Sequence, residues 1–217
     1  MTATTTTRAR RLAAGAALAL VSLAAACGTD EVASTERTPS PAAVDVTKAP
    51  TIASWTTIKG IAVPLGADDG PTSDPGRPFT GYRHNPQGAA LAVIDQSVQL
   101  ATAGDTEWSK VLAAVTTPGP GRDAWAGNRA LVSITATDPA TTPTIVGYTI
   151  SNYSPESATV SVIQRYSDRS LTSSTTTAAW SGGDWKITLP TGQARDNPVT
   201  AIAAVPTGMV DLEGTRK

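Results

Sequence analysis

The chain has 217 residues, room for one domain with flanking segments. It carries 17 Lys and Arg against 18 Asp and Glu, and without Arg8, Arg10 and Arg11 at the N-terminus the balance is 14 against 18, a net charge of −4. That balance argues against nucleic acid as a partner, because phosphate binding needs a basic face. One cysteine and one histidine leave no intramolecular disulfide and no cluster of thiol or imidazole metal ligands.

The first 27 residues have the layout of an export signal. The three arginines precede an uncharged apolar run, residues 12–26 (LAAGAALALVSLAAA). That run is shorter than the ~20 residues a spanning helix needs, so it reads as a cleaved signal. It ends in L-A-A-A-C, which resembles a bacterial lipobox with Ala24 where leucine is usual. Cys27 is thus the expected lipid attachment site, placing the protein at the outer face of the cell membrane. The alternative is ordinary cleavage and secretion with a free thiol. Two acyl chains suffice for stable anchoring. Residues 28–54 are rich in Thr, Ser, Ala and Pro and read as a disordered tether.

An α+β domain is expected over residues 55–190. It opens irregularly through Trp55, Ile58, Ile61, Val63 and Leu65. Residues 66–78 (GADDGPTSDPGRP) form a loop of turn formers. Its Asp68, Asp69 and Asp74 lack calcium-loop spacing and read as solvated. Asn85-Pro86 is a helix start, with asparagine at the cap and proline in the first turn. The helix presents Leu91, Ile94, Val98 and Ala101 on one face, with Asp95, Gln99 and Thr102 opposite. A second helix over residues 106–115 buries Trp108, Val111, Leu112 and Val115 and ends at P-G-P-G. A third, short helix falls around residues 123–130.

The period then changes from helical to two. Residues 144–151, 158–166, 170–180 and 184–189 read as strands rich in Thr, Val, Ile, Tyr and Trp. Their short connections make an antiparallel meander with the helices on one face. The last hairpin, W-S-G-G-D-W, places Trp180 opposite Trp185 if Gly182-Gly183 is a two-residue turn. Residues 191–217 lose their period and read as an irregular tail.

Helices followed by a meander ending in W-x-x-G-D-W-K-I resemble the cone-shaped nuclear transport factor two superfamily. More narrowly, P-x-G-A-A-L-A (residues 86–92), V-G-Y-x-I-x-x-Y-S-P-E (146–156) and W-S-G-G-D-W-K (180–186) resemble a group of uncharacterised actinobacterial exported proteins and lipoproteins tied to conjugative elements. The resemblance covers about two-thirds of the chain. It implies a conjugal-transfer, type IV secretion-like setting in which such domains serve as extracytoplasmic scaffolds. It implies no catalytic residues.

No constellation for catalysis is visible. His84 stands outside the helix start, in R-H-N-P, with no nucleophile motif beside it, and reads as a bystander. Cone-shaped domains can use a pocket aspartate as a base. Asp95 falls on the polar helix face and reads as exposed, while Asp184 sits in a turn for conformational reasons. Trp55, Trp108, Trp125, Trp180 and Trp185 read as core bulk in a chain with one phenylalanine, although aromatics also anchor protein or glycan interfaces. The expectation is a membrane-anchored, non-catalytic scaffold or adaptor for protein partners in the cell envelope, with no cofactor, metal or small-molecule substrate. The alternative is a cone whose pocket binds or converts a small apolar ligand.

Overall fold

The structure, a computed structural model, describes residues 44–74, 76–135, 141–191 and 199–216. Cys27, the signal-like segment and tether residues 28–43 lie outside the described residues. The compact unit runs from Ala43 to Lys217. Its class is α+β, as expected, with three α-helices and two antiparallel sheets among the described residues.

Order begins earlier than the composition change at Trp55 suggests. The side chain of Gln87 donates to the backbone carbonyls of Asp45 and Lys48 and holds residues 45–48 against the domain. Strand β1 (Ile52–Ile58) then pairs with β2 (Ile61–Gly66) in a hairpin where an irregular lead-in was expected. Lys59 and Gly60 form its two-residue turn with φ of 47° and 92°. Positive φ at both central residues gives the twist that tight hairpins need.

Helix α1 (Pro86–Thr102) starts as its sequence dictates: the Asn85 side chain accepts from Gly88 N–H at 2.7 Å, with Pro86 in the first turn. Its amphipathic expectation fails. Of its 17 residues, 14 are buried, Asp95, Gln96 and Thr102 among them, whereas Ala101 is exposed. The helix runs through the middle of the domain, touching the hairpin, the meander and the next helix. Its run of Gly and Ala lets these elements approach closely from several sides. Helix α2 (Trp108–Val115) buries Val111, Leu112 and Val115. Helix α3 (Pro120–Arg129) begins inside the P-G-P-G stretch that ends α2, three residues earlier than expected.

Strands β3 (Thr144–Tyr153), β4 (Ser157–Arg165), β5 (Leu171–Ser181) and β6 (Asp184–Thr188) form the expected meander. Trp180 pairs with Trp185 and Ser181 with Asp184 around Gly182 and Gly183, whose φ values are 65° and 81°. The C-terminal stretch is no trailing tail. Strand β7 (Val199–Ile202) pairs with the first half of β5, and β8 (Val210–Asp211) with β3. Val210 and Leu212 are buried in the main core, which explains why this stretch orders without periodicity: its few apolar residues reach a sheet edge already built.

The main core lies between α1, the hairpin and the meander, and includes Leu91, Ile94, Tyr148 and Trp185. A second cluster under α2 joins Leu100, Leu112, Val115 and Ile187, with Trp108 and Trp125 packed on it. Only Trp185 among the five tryptophans is fully buried; the others are half-buried, Trp55 and Trp180 packed against the main core and Trp108 and Trp125 against the second.

Candidate interaction surfaces and a sealed carboxyl

Asp184, expected in its turn for conformational reasons, fastens the loop before α1. Its carboxylate accepts from Gly81 N–H at 2.8 Å, Tyr82 N–H at 2.9 Å and its neighbour Trp185 N–H at 2.9 Å. The pinned loop carries Tyr82 inward, and its hydroxyl donates to Asp95 Oδ2 at 2.8 Å. Asp95 is thus fully buried rather than exposed. A carboxyl deprived of water favours its neutral form. Burial pushes Asp95 well above the usual carboxylate range, partly opposed by the Tyr82 hydrogen bond. Burial also raises the Tyr82 hydroxyl, with the Asp95 charge adding to it.

Neighbouring groups complete this lock. Gln96 donates to the Trp185 carbonyl at 2.9 Å, and the Trp185 indole donates to the Arg83 carbonyl at 3.0 Å. Asp69, expected to be solvated, is 7% exposed and accepts from the Asn85 side chain at 2.8 Å. Asp68 and Asp74 are exposed as expected. Among the described residues no group of three or more His, Cys, Asp or Glu is arranged to hold a metal ion.

His84 is exposed, yet it is placed rather than idle. Its ring stacks on Trp180 with centroids 3.9 Å apart and planes 11° from parallel. Nε2 faces the Pro155 carbonyl, an acceptor, so that nitrogen carries the proton. Trp185 lies edge-on beneath Trp180 at 5.5 Å, and Tyr153 lies 6.0 Å from Trp185 on the other side. The result is an aromatic ledge with a buried root and an exposed lip. Beside it, Val44, Val46, Ile150, Tyr153 and Pro155 line a hollow of about 290 Å³.

A second, larger groove of about 710 Å³ lies elsewhere on the domain. Thr56, Thr57 and Ile58 of β1 form one wall, Phe79 and Gln99 another, and α2 contributes Lys110 and Val111. Three cations, Lys59, Arg77 and Lys110, line it against one anion, Glu107. Glu107 is 3.5 Å from Lys59. Neither hollow is lined by Asp95 or Tyr82.

The structure thus joins three residues singled out from sequence, His84, Trp180 and Trp185, adds Tyr82 and Gln96, which sequence reasoning passed over, and buries Asp69, which was expected to be solvated. Tyr82 had one visible signal, an aromatic residue just ahead of a strong helix cap. Trp55 falls apart from the ledge: its indole donates to Thr215 at 3.2 Å, and the Arg216 guanidinium sits 4.3 Å over its ring.

No curated protein and no solved structure matches this chain. A protein-family model described as a domain of unknown function, DUF8175, matches residues 13–210. It spans the hairpin, α1 with its buried carboxyl, the ledge and β7, and ends at the first residue of β8; the chain belongs to that family.

Proposed function

We propose that the chain is a non-catalytic adaptor of the bacterial cell envelope, held at the outer face of the membrane by a diacylated Cys27, and that it binds a protein partner in a conjugal-transfer assembly. The cone-shaped architecture of the nuclear transport factor two superfamily belongs to the same proposal. The observation that carries it is the aromatic ledge. Half-buried aromatics rooted in a rigid core are the side chains that anchor protein interfaces. His84 and Trp180 are held by stacking, and Trp180 by the hairpin, so little ordering is left to do on binding. The ledge also borders Val44, where the described chain begins. The 16 residues from Gly28 to Ala43 reach at most about 55 Å when extended, which keeps the ledge near the membrane in this reading.

The sealed position of Asp95 supports an adaptor over an enzyme. A general base must come within hydrogen-bond reach of a substrate, and Asp95 is fully buried with Tyr82 on one oxygen. The test is site-specific photocrosslinking in cells that carry the transfer machinery. A crosslinker at Ser154, beside the ledge, is expected to give a discrete protein adduct that Trp180→Ala abolishes. Equal adducts from Thr175, on the far stretch of β5, or indifference to Trp180→Ala, would sink the assignment.

A further inference from the structure

The hairpin has two edges, and they are not equivalent. In an antiparallel pair, opposed residues alternate between those exchanging both backbone hydrogen bonds and those whose N–H and C=O groups point away. The two-residue turn makes Ile58 and Ile61 a bonded pair, so Thr57 with Ala62 and Trp55 with Pro64 are pairs that point outward. Pro64 fits this register, because its position on β2 is one where the ladder asks for no N–H. A proline there also blunts the outer edge of β2. The outer edge of β1 has no such guard. Among the described residues, neither Trp55 nor Thr57 gives its backbone N–H to any group outside the hairpin.

That edge opens on the larger groove. Side chains of successive strand residues point to opposite faces. Thr56, Thr57 and Ile58 all line the groove, so the groove runs along the strand's edge rather than across one face. Its lining includes apolar Ile58, Phe79 and Val111, and its rim carries Lys59, Arg77 and Lys110 against two carboxylates, Glu107 beside Lys59 and Asp74 3.6 Å from Arg77, which leaves it net positive with Lys110 outside both ion pairs. A net positive groove on a chain whose charge beyond residue 27 is −4 is a local feature, not a reflection of overall composition.

We infer that the outer edge of β1 and this groove form a strand-addition site for an extended acidic segment of a partner protein. The segment pairs its backbone with the outward groups of Trp55 and Thr57. Its alternate side chains are apolar toward Phe79 and Val111 and carboxylate toward Lys59, Arg77 and Lys110. Backbone pairing supplies affinity in this mode, and the alternating side chains supply selection. The site is separate from the aromatic ledge, so the failure of either leaves the other standing.

The probe is a fluorescein-labelled, end-blocked octapeptide of alternating valine and glutamate, titrated into the full chain by anisotropy. Two control probes replace glutamate with lysine or N-methylate alternate residues. Saturable binding is expected for the acidic probe and for neither control. Lys59→Glu with Lys110→Glu is expected to weaken it by about tenfold or more, as is Thr57→Pro, which removes an N–H that bonds nothing in the free domain. Amide exchange at Thr57 should be fast in the free protein and slow in the complex. No saturable binding up to about 1 mM overturns the proposal, as does equal binding of the lysine or N-methylated probe. If Thr57→Pro fails to fold by circular dichroism, the N-methylated probe decides the backbone contribution alone.

Discussion

At Asp95 the domain holds a carboxyl with one hydrogen bond and no cation. Its folded pKa is raised above the unfolded value of about 3.9, so its contribution to stability is full below about pH 3.9 and is lost as pH rises through the folded value. Asp95→Asn keeps an acceptor for Tyr82 without the charge. We expect urea midpoints of the wild type to fall as pH rises from about 4 toward about 8, and those of Asp95→Asn to fall less; parallel curves would show that burial does not raise the Asp95 pKa above its unfolded value. At Trp185, fully buried and bonded through its indole, truncation to alanine should cost about 3–5 kcal/mol in a denaturant melt. Trp55→Ala, half-buried at the rim, should cost clearly less. The opposition of Trp180 and Trp185 was legible because a Gly-Gly turn fixes register by itself. The burial of Asp95 was not, because helical periodicity reports one covered face. The second cover comes from a loop pinned by Asp184, more than a hundred residues away in sequence from Tyr82.

Among the elements, those with strong local signals were readable. Caps gave the start of α1, and period-two runs gave β3 to β6. The hairpin of β1 and β2 was missed because Pro64 argues against a strand, and only its outward position in the register makes it tolerable. Strands β7 and β8 were missed because they are short and borrow their order from edges already formed. Deleting residues 209–217 removes buried Val210 and Leu212, the Arg165–Glu213 ion pair and the contacts of Thr215 and Arg216 with Trp55. A loss of about 3 kcal/mol or more is expected by denaturant titration, and a tail that mattered little would leave the midpoint unchanged. Asp105 forms a different clasp. It accepts from Ser133, from Ile134 N–H and from Arg129, the buried last residue of α3, which also donates to the Ala103 carbonyl at the end of α1. These hydrogen bonds lower its pKa to about 2. Here the sign reverses: the contribution is present above about pH 4 and lost as pH falls toward about 2, and Asp105→Asn should flatten the acid limb of a melting profile.

For the whole molecule, the anchoring proposal has a direct check. Cys27→Ser should leave export intact and move the protein from the membrane fraction to the soluble one. Wild type without acyl mass, or a variant that stays with the membrane, would refute the lipid. The fold class was legible from period alone, whereas the binding surfaces were not, since they are assembled from residues that only the tertiary fold brings together.

The meeting of Trp55 with Thr215 spans 160 residues of sequence. Contacts so distant along the chain are reached late, because loop closure must come first, and topologies rich in them fold slowly. A chain delivered N-terminus first therefore presents the β1–β2 hairpin long before Thr215 and Arg216 arrive to brace it. Through that interval the unguarded edge of β1 is a template for premature pairing. Thr215 and Arg216 act as a clasp that closes on the hairpin only after the meander between them has been made.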